Sequence, residues 1–330
     1  MEVRELLEEL ILGKKRKLSL YTLPLILETR SVGLINKRLM SNEIESDEEL
    51  YRIIRYLSSL NKIRNEAILS RAVTIDNLLK RLGIARLWLK GIAEIHQQSS
   101  SIENRKVTDV DLLTNQTEEV RDHLIMLGLK HGVYSREGEW KEASEEKIKI
   151  HEKEHYELYP LTKIIPLDIP APILYPNLMK RYRVFYNQTS GGFYTDLVID
   201  IHHSLNIDFP SNWLLENENK DDDFPILSEI DSVWYLSFKC YYELLKGKST
   251  DLQLLFSTID KIRNTSFSVD EVGKRMDDNT NYFDQEVLDF MNKLANKDPE
   301  SIDELLNCLT PKVQKKIKEN NNYGEMGNYI

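Results

Sequence analysis

From Asp47 to Leu82 the apolar residues recur at spacings of three and four. They are Leu50, Ile53, Ile54 and Leu57, then Ala67, Ile68, Val73, Leu78, Leu79 and Leu82. That period marks a helix with one buried stripe. The pattern predicts helix throughout residues 1–84, with Gly83 as a C-cap. The texture then changes. Ala85 to Lys90 reads as a short strand ending at Lys90-Gly91, and Ile92 to Gln98 as the start of a helix. A polar loop, Gln98 to Asn104, leads into an alternating stretch from Val107 to Thr114. There Val107, Asp109, Asp111 and Leu113 share one face, and Thr108, Val110, Leu112 and Thr114 the other. A helix over 117–127 stops at Gly128, and strands are expected near 129–135, 154–160 and 195–203. Past Phe209 the period returns to that of helices, near 226–246, 250–263, 284–296 and 301–318. The polar run Asn217 to Asp223 reads as an exposed linker, and the tail from Asn320 as loose chain. The expected layout has three parts: a helical part over 1–84, an α+β core over 85–209 and a helical part over 210–330.

Composition narrows the classes. Of 330 residues, 41% are apolar, enough for a substantial core, and 30% are charged. Lysine and arginine number 44 against 54 aspartates and glutamates, a net charge of −10. Such a chain repels phosphate backbones at long range, so nucleic acid is a poor partner. The local basic runs, Lys14 to Lys17 and Lys312 to Lys318, read as a loop and a solvated helix face. Two cysteines are too few for a disulfide framework, and Cys240 sits in an apolar helical stretch. The N-terminal residues do not read as a signal peptide, and no run approaches the ~18 apolar residues of a membrane span. The expectation is a soluble cytoplasmic protein.

The alternating stretch carries the candidate chemistry. Two carboxylates two residues apart on a strand face one spot, so Asp109 and Asp111 repel unless a cation lies between them. Mg²⁺ takes such hard oxygen ligands and shares them with substrate phosphates. Around the pair stand a strand-to-helix turn at Lys90-Gly91, suited to phosphate, and a fixed cation at Arg105. A further acid lies in the apolar strand Leu197 to Leu205, where Val198, Asp200 and His202 share a face. A carboxylate there needs a partner, and a metal is one.

These blocks together resemble the family called "uncharacterised nucleotidyltransferase", within the DNA polymerase β-like superfamily. They are Leu89-Lys90-Gly91, then Arg105 followed by Asp109-Val-Asp111-Leu-Leu, then Ile199-Asp200-Ile-His202. The resemblance spans roughly residues 60–260 and implies a nucleotidyltransferase-type mixed β-sheet core. It further implies a metal pair on Asp109 and Asp111, Asp200 as third acid beside the attacking hydroxyl, and triphosphate contacts from Lys90 and Gly91. The superfamily usually has Gly-Ser or Gly-Gly at the phosphate turn. Here the turn reads Lys90-Gly91-Ile92, with Lys90 as the candidate replacement. Glu157, on the stretch from His155 to Tyr159, competes with Asp200 for the third position. The expected activity is Mg²⁺-dependent, with Mn²⁺ as a substitute. It transfers NMP from an NTP to an acceptor, whether small molecule, peptide or protein, and releases pyrophosphate. A regulatory nucleotide-binding protein of the same fold is the alternative.

A rival motif is His151-Glu-Lys-Glu-His155, which matches the H-E-x-x-H zinc signature. That chemistry needs a helix, whereas the flanking Ile148, Ile150, Tyr156 and Leu158 alternate and Pro160 follows. Adjacent His202 and His203 face opposite ways on a strand, so only His202 joins Asp200. His96, His123 and His131 read as surface or structural residues. The aromatic run Trp234 to Tyr242 reads as core packing.

Overall fold

A stripe of apolar side chains explains most of the N-terminal helices. In this computed structural model, residues 3–13, 17–97, 101–135, 137–170, 174–187, 191–205, 211–216, 222–279 and 284–321 are described. The basic residues Lys14 to Arg16, residues 98–100 of the polar loop, residues 217–221 of the linker and the tail past 321 lie outside them. The chain begins with α1 (Val3–Leu12), β1 (Lys17–Leu18), a 3₁₀ turn (Leu20–Thr22), α2 (Leu23–Glu28), α3 (Val32–Met40), β2 (Glu45–Ser46) and α4 (Glu48–Arg81). It continues through β3 (Leu87–Leu89), α5 (Lys90–His96), β4 (Val110–Leu113), α6 (Thr117–Met126), β5 (Lys130–Tyr134), β6 (Trp140–Glu142) and α7 (Glu145–Glu154). Next come β7 (Leu161–Leu167), α8 (Pro176–Arg181), β8 (Val184–Asn187), β9 (Gly192–His202) and α9 (Asn212–Glu216). The last part is helical. It comprises α10 (Glu229–Cys240) with a π-helical extension (Tyr241–Lys246), α11 (Leu252–Asn264), α12 (Val269–Asn279), α13 (Gln285–Ala295) and α14 (Pro299–Asn321).

By internal contacts the chain divides into two compact units, Met1–Ser58 with Ser228–Ile330, and Ser59–Leu227. Among the described residues of the first, the regular elements are helices apart from the paired two-residue strands β1 and β2. Its core includes Leu236, Leu255, Met276, Leu288, Met291 and Leu305, all buried. Trp234, Tyr235 and Phe238 are buried there too, as core packing requires, and Cys240 is fully enclosed. Lys312 is less solvated than its place in a basic run suggests. Its ammonium donates to the carbonyls of Leu244 at 2.5 Å and Leu245 at 3.1 Å, satisfying the end of the π-helical turn.

The second unit is built on a seven-stranded mixed sheet with order β3-β4-β9-β7-β5-β6, and β8 paired to β9. Strand β4 runs parallel to β9; the other pairings are antiparallel. One buried cluster joins Ile68, Ala72, Ile75 and Leu79 of α4 to Ile92 of α5, Val120 and Leu124 of α6, and the strand residues Leu112, Leu161 and Ile199. Helix α4 ends as its glycine predicts. Gly83 takes φ +69°, Ile84 N–H donates to Leu79 O, and Gly83 N–H donates to Lys80 O.

The strand expected near 154–160 is displaced. Residues to Glu154 are helical, and the strand begins at Leu161. Ser144 caps α7 by accepting from Lys147 N–H at 3.3 Å, with Glu145 and Glu146 in the first turn. These N-terminal signals outweigh a short alternation. Strand β7 tolerates Pro166 because β5 pairs only at Leu161 and Thr162, leaving that stretch of β7 without a second partner among the named strands.

Candidate functional site

Three adjacent strands bring the candidate residues into one row. Leu89 of β3 pairs with Asp111 of β4, and Asp111 pairs with Asp200 of β9. Asp109 stands just ahead of β4, where Thr108 Oγ1 donates to its Oδ1 at 2.8 Å. The result is a convergent set. One carboxylate oxygen from each of Asp109, Asp111 and Asp200 lies within 4.8 Å of the other two. Among the described residues this is the one group of three such donors close enough to share an ion.

The two inner acids have different environments. Asp111 is buried, which alone would raise its carboxyl. Lys90 Nζ at 2.5 Å and His202 Nε2 at 2.9 Å, both on Oδ1, more than offset that and hold it below the ordinary range. Asp200 goes the other way. Burial, then the charges of Asp111 and Asp109, push its carboxyl well above its usual value, with Lys90 opposing. Its Oδ1 is buried and makes no hydrogen bond among the described residues. A buried carboxylate oxygen with no donor, facing two other carboxylates, suits a hard divalent cation or, without one, a proton. The residues present therefore fit a Mg²⁺ or Mn²⁺ ion.

Lys90 opens α5 directly after β3, with its backbone in the left-handed region at φ +52°. Gly91 follows, packed against the segment that leads into Asp109. A β-carbon there would stand 3.4 Å from Arg105 Nε and 3.4 Å from Val107 Cγ2. Arg105 is buried, and its Nη1 pairs with Glu94 of α5 at 3.0 Å. It thus fastens the start of α5 to the segment leading into Asp109.

The profile of the family described as uncharacterised nucleotidyltransferase matches residues 23–261 of this chain. The chain belongs to that family. No curated protein and no solved structure matches it. The mixed sheet with helical parts at either end is consistent with a nucleotidyltransferase fold.

Glu157 does not join the three acids. Its Oε2 lies 3.3 Å from His202 Nδ1 and its Oε1 lies 3.7 Å from His151 Nε2. It backs the histidine that holds Asp111. The zinc motif is helical as far as Glu154, more so than the sequence pattern predicts, yet its two histidines do not converge. His155 is the extended C-cap residue, and its ring stacks on that of His151 at 4.2 Å and 22°. An ion lies in the plane of each imidazole that binds it, at ~2.0 Å. Two nearly parallel rings 4.2 Å apart have no such common point.

Sequence reading misses three residues behind the carboxylate cluster. On the inner face of α4, Asn61 Nδ2 donates to Glu103 O at 3.0 Å and Arg105 O at 2.7 Å, and Asn65 Nδ2 to Ile102 O at 2.7 Å and to Arg105 O. Buried Arg64 donates to Val107 O and, at 3.0 Å, to Thr195 Oγ1 on β9. Burial pulls its guanidinium down to about 10, still charged at neutral pH. Together they hold the segment that presents Asp109. The signal is visible in hindsight: between Leu60 and Ile68 the buried stripe of α4 is polar at 61, 64 and 65.

Proposed function

We propose that this protein is a Mg²⁺-dependent nucleotidyltransferase in which Asp109, Asp111 and Asp200 form the reaction centre. The observation that carries the reading is the convergence of three carboxylates with one buried oxygen left without a donor. Asp109 and Asp111 hold the divalent metal, with Asp200 completing the set. When bound, the metal neutralises developing charge on the α-phosphate and on the departing oxygen. The chain does the rest by position. Lys90 and the Gly91 turn receive the β- and γ-phosphates. Asp200, ionised once the metal is bound, takes the proton of an acceptor hydroxyl. The freed oxygen bonds to the α-phosphorus, the bond from that phosphorus to the bridging oxygen breaks, and pyrophosphate leaves. His202 keeps Asp111 oriented, and Glu157 stands beside the other ring nitrogen of His202.

The test uses nucleotide labelled at the α- or the γ-phosphate, with Mg²⁺ and a panel of hydroxylated small molecules, peptides and proteins. Label from the α-position should appear in an acceptor, and γ-label in pyrophosphate. Transfer of γ-label to the acceptor contradicts the reading. Mg²⁺-dependent binding of NTP without any transfer would favour the regulatory alternative.

A further inference from the structure

The ammonium of Lys90 sits where a cation should sit. Its Nζ lies 2.5 Å from Asp111 Oδ1, on a carboxylate that is itself 2% exposed and within 4.8 Å of Asp109 and Asp200. Three acids converge at this place, and a lysine supplies positive charge directly on the middle one. The backbone reinforces the arrangement. At φ +52° a residue bearing a β-carbon is strained where glycine would not be. A lysine is held there regardless, at the mouth of the turn that faces the acids. Strain of this kind persists where surrounding structure fixes it, often beside switching groups. The lysine side chain is 25% exposed, so its head has a way out toward solvent.

We infer that Lys90 is a built-in occupant of the metal site. It neutralises Asp111 in the nucleotide-free protein and leaves for the phosphates when the metal arrives together with a triphosphate. The inference rests on the function proposed above and adds an order to it. A free divalent ion must compete with Lys90 for Asp111 Oδ1. An ion arriving on a triphosphate brings an acceptor for the displaced ammonium, since lysine binds phosphate well as a point charge. Metal and polyphosphate therefore bind cooperatively, and Lys90 carries the coupling. Removing the ammonium should uncouple them.

The experiment measures Mn²⁺ affinity of the full chain by calorimetry or spin resonance, alone and with inorganic tripolyphosphate, which avoids any choice of base. In the unaltered protein Mn²⁺ alone should bind weakly, and tripolyphosphate should tighten it at least about tenfold, a coupling of about 1.4 kcal/mol. In Lys90→Met, Mn²⁺ alone should bind about tenfold tighter than in the unaltered protein, and the gain from tripolyphosphate should shrink to about twofold or less. Lys90→Gly keeps the φ angle without penalty and serves as a second variant should the methionine disturb the fold. Equal Mn²⁺ affinity in the unaltered protein and both variants overturns the Lys90 inference and leaves the proposed function standing. Failure of all three to bind Mn²⁺, with or without tripolyphosphate, overturns both.

Discussion

At the residue scale the site turns on two aspartates shifted in opposite directions. Asp200, raised by burial and by Asp111 and Asp109, keeps its proton in the folded state where the unfolded chain has released it. Its contribution to the stability of the metal-free protein therefore falls as pH rises from the ordinary aspartate value to the raised one, and is constant above. Asp111, lowered on balance by Lys90 and His202, has the opposite sign: its contribution is present above the ordinary aspartate value and is lost as pH falls below it. Asp200→Asn removes the first penalty. Its melting temperature at neutral pH in EDTA should exceed that of the unaltered protein, while the transfer rate falls about 10²–10⁴-fold. Glu157→Gln should cost less than about tenfold, since Glu157 acts through His202. A variant at Asp200 that melts lower and keeps its rate would show that this acid is structural.

At the element scale α4 does two jobs within the sheet unit. Asp76 accepts from buried Arg86 at 2.6 and 2.9 Å, from Trp88 Nε1 at 2.7 Å and from Phe224 N–H at 2.8 Å. This ties α4 to β3, the strand that delivers Lys90. Asp76→Ala leaves a buried guanidinium without its carboxylate and should cost about 3–5 kcal/mol in denaturant unfolding. Arg64, with Asn61 and Asn65, instead holds the approach to Asp109. Arg64→Ala should weaken Mn²⁺ binding as well as stability. Unchanged metal affinity in a folded variant would mean the Asp109 segment holds itself. Periodicity made α4, the strand at Leu87–Leu89, α6, β9 and most C-terminal helices legible. It did not show α12, whose buried apolar positions are Val272 and Met276 in a run of charged residues, nor the short strands β6 and β8, which exist through pairing with β5 and β9. It set a strand near 154–160, where α7 ends at Glu154 and the strand begins only at Leu161.

At the scale of the whole molecule, the family match over residues 23–261 and the mixed sheet agree with the resemblance carried by Lys90-Gly91, Asp109-Val-Asp111 and Asp200. Those residues were legible because strand alternation aims side chains two apart at one point, and because parallel pairing in register sets Asp111 beside Asp200. Chain order suggested three parts, while compactness gathers Met1–Ser58 and Ser228–Ile330 into one unit. Such a grouping comes from contacts between distant helices, which no local period reveals. No described helix is long and apolar enough to cross a membrane. The net charge of −10 repels free polyphosphate at long range. The central claim is metal-dependent nucleotidyl transfer at the three aspartates. It is tested most directly by following pyrophosphate from each of the four NTPs with the panel of hydroxylated acceptors, with Mg²⁺ and with EDTA, in the unaltered protein and in Asp111→Asn. The account predicts pyrophosphate from at least one NTP, abolished by EDTA and reduced at least about 10²-fold in the variant. Release of orthophosphate in its place, or pyrophosphate formation untouched by Asp111→Asn, would contradict it.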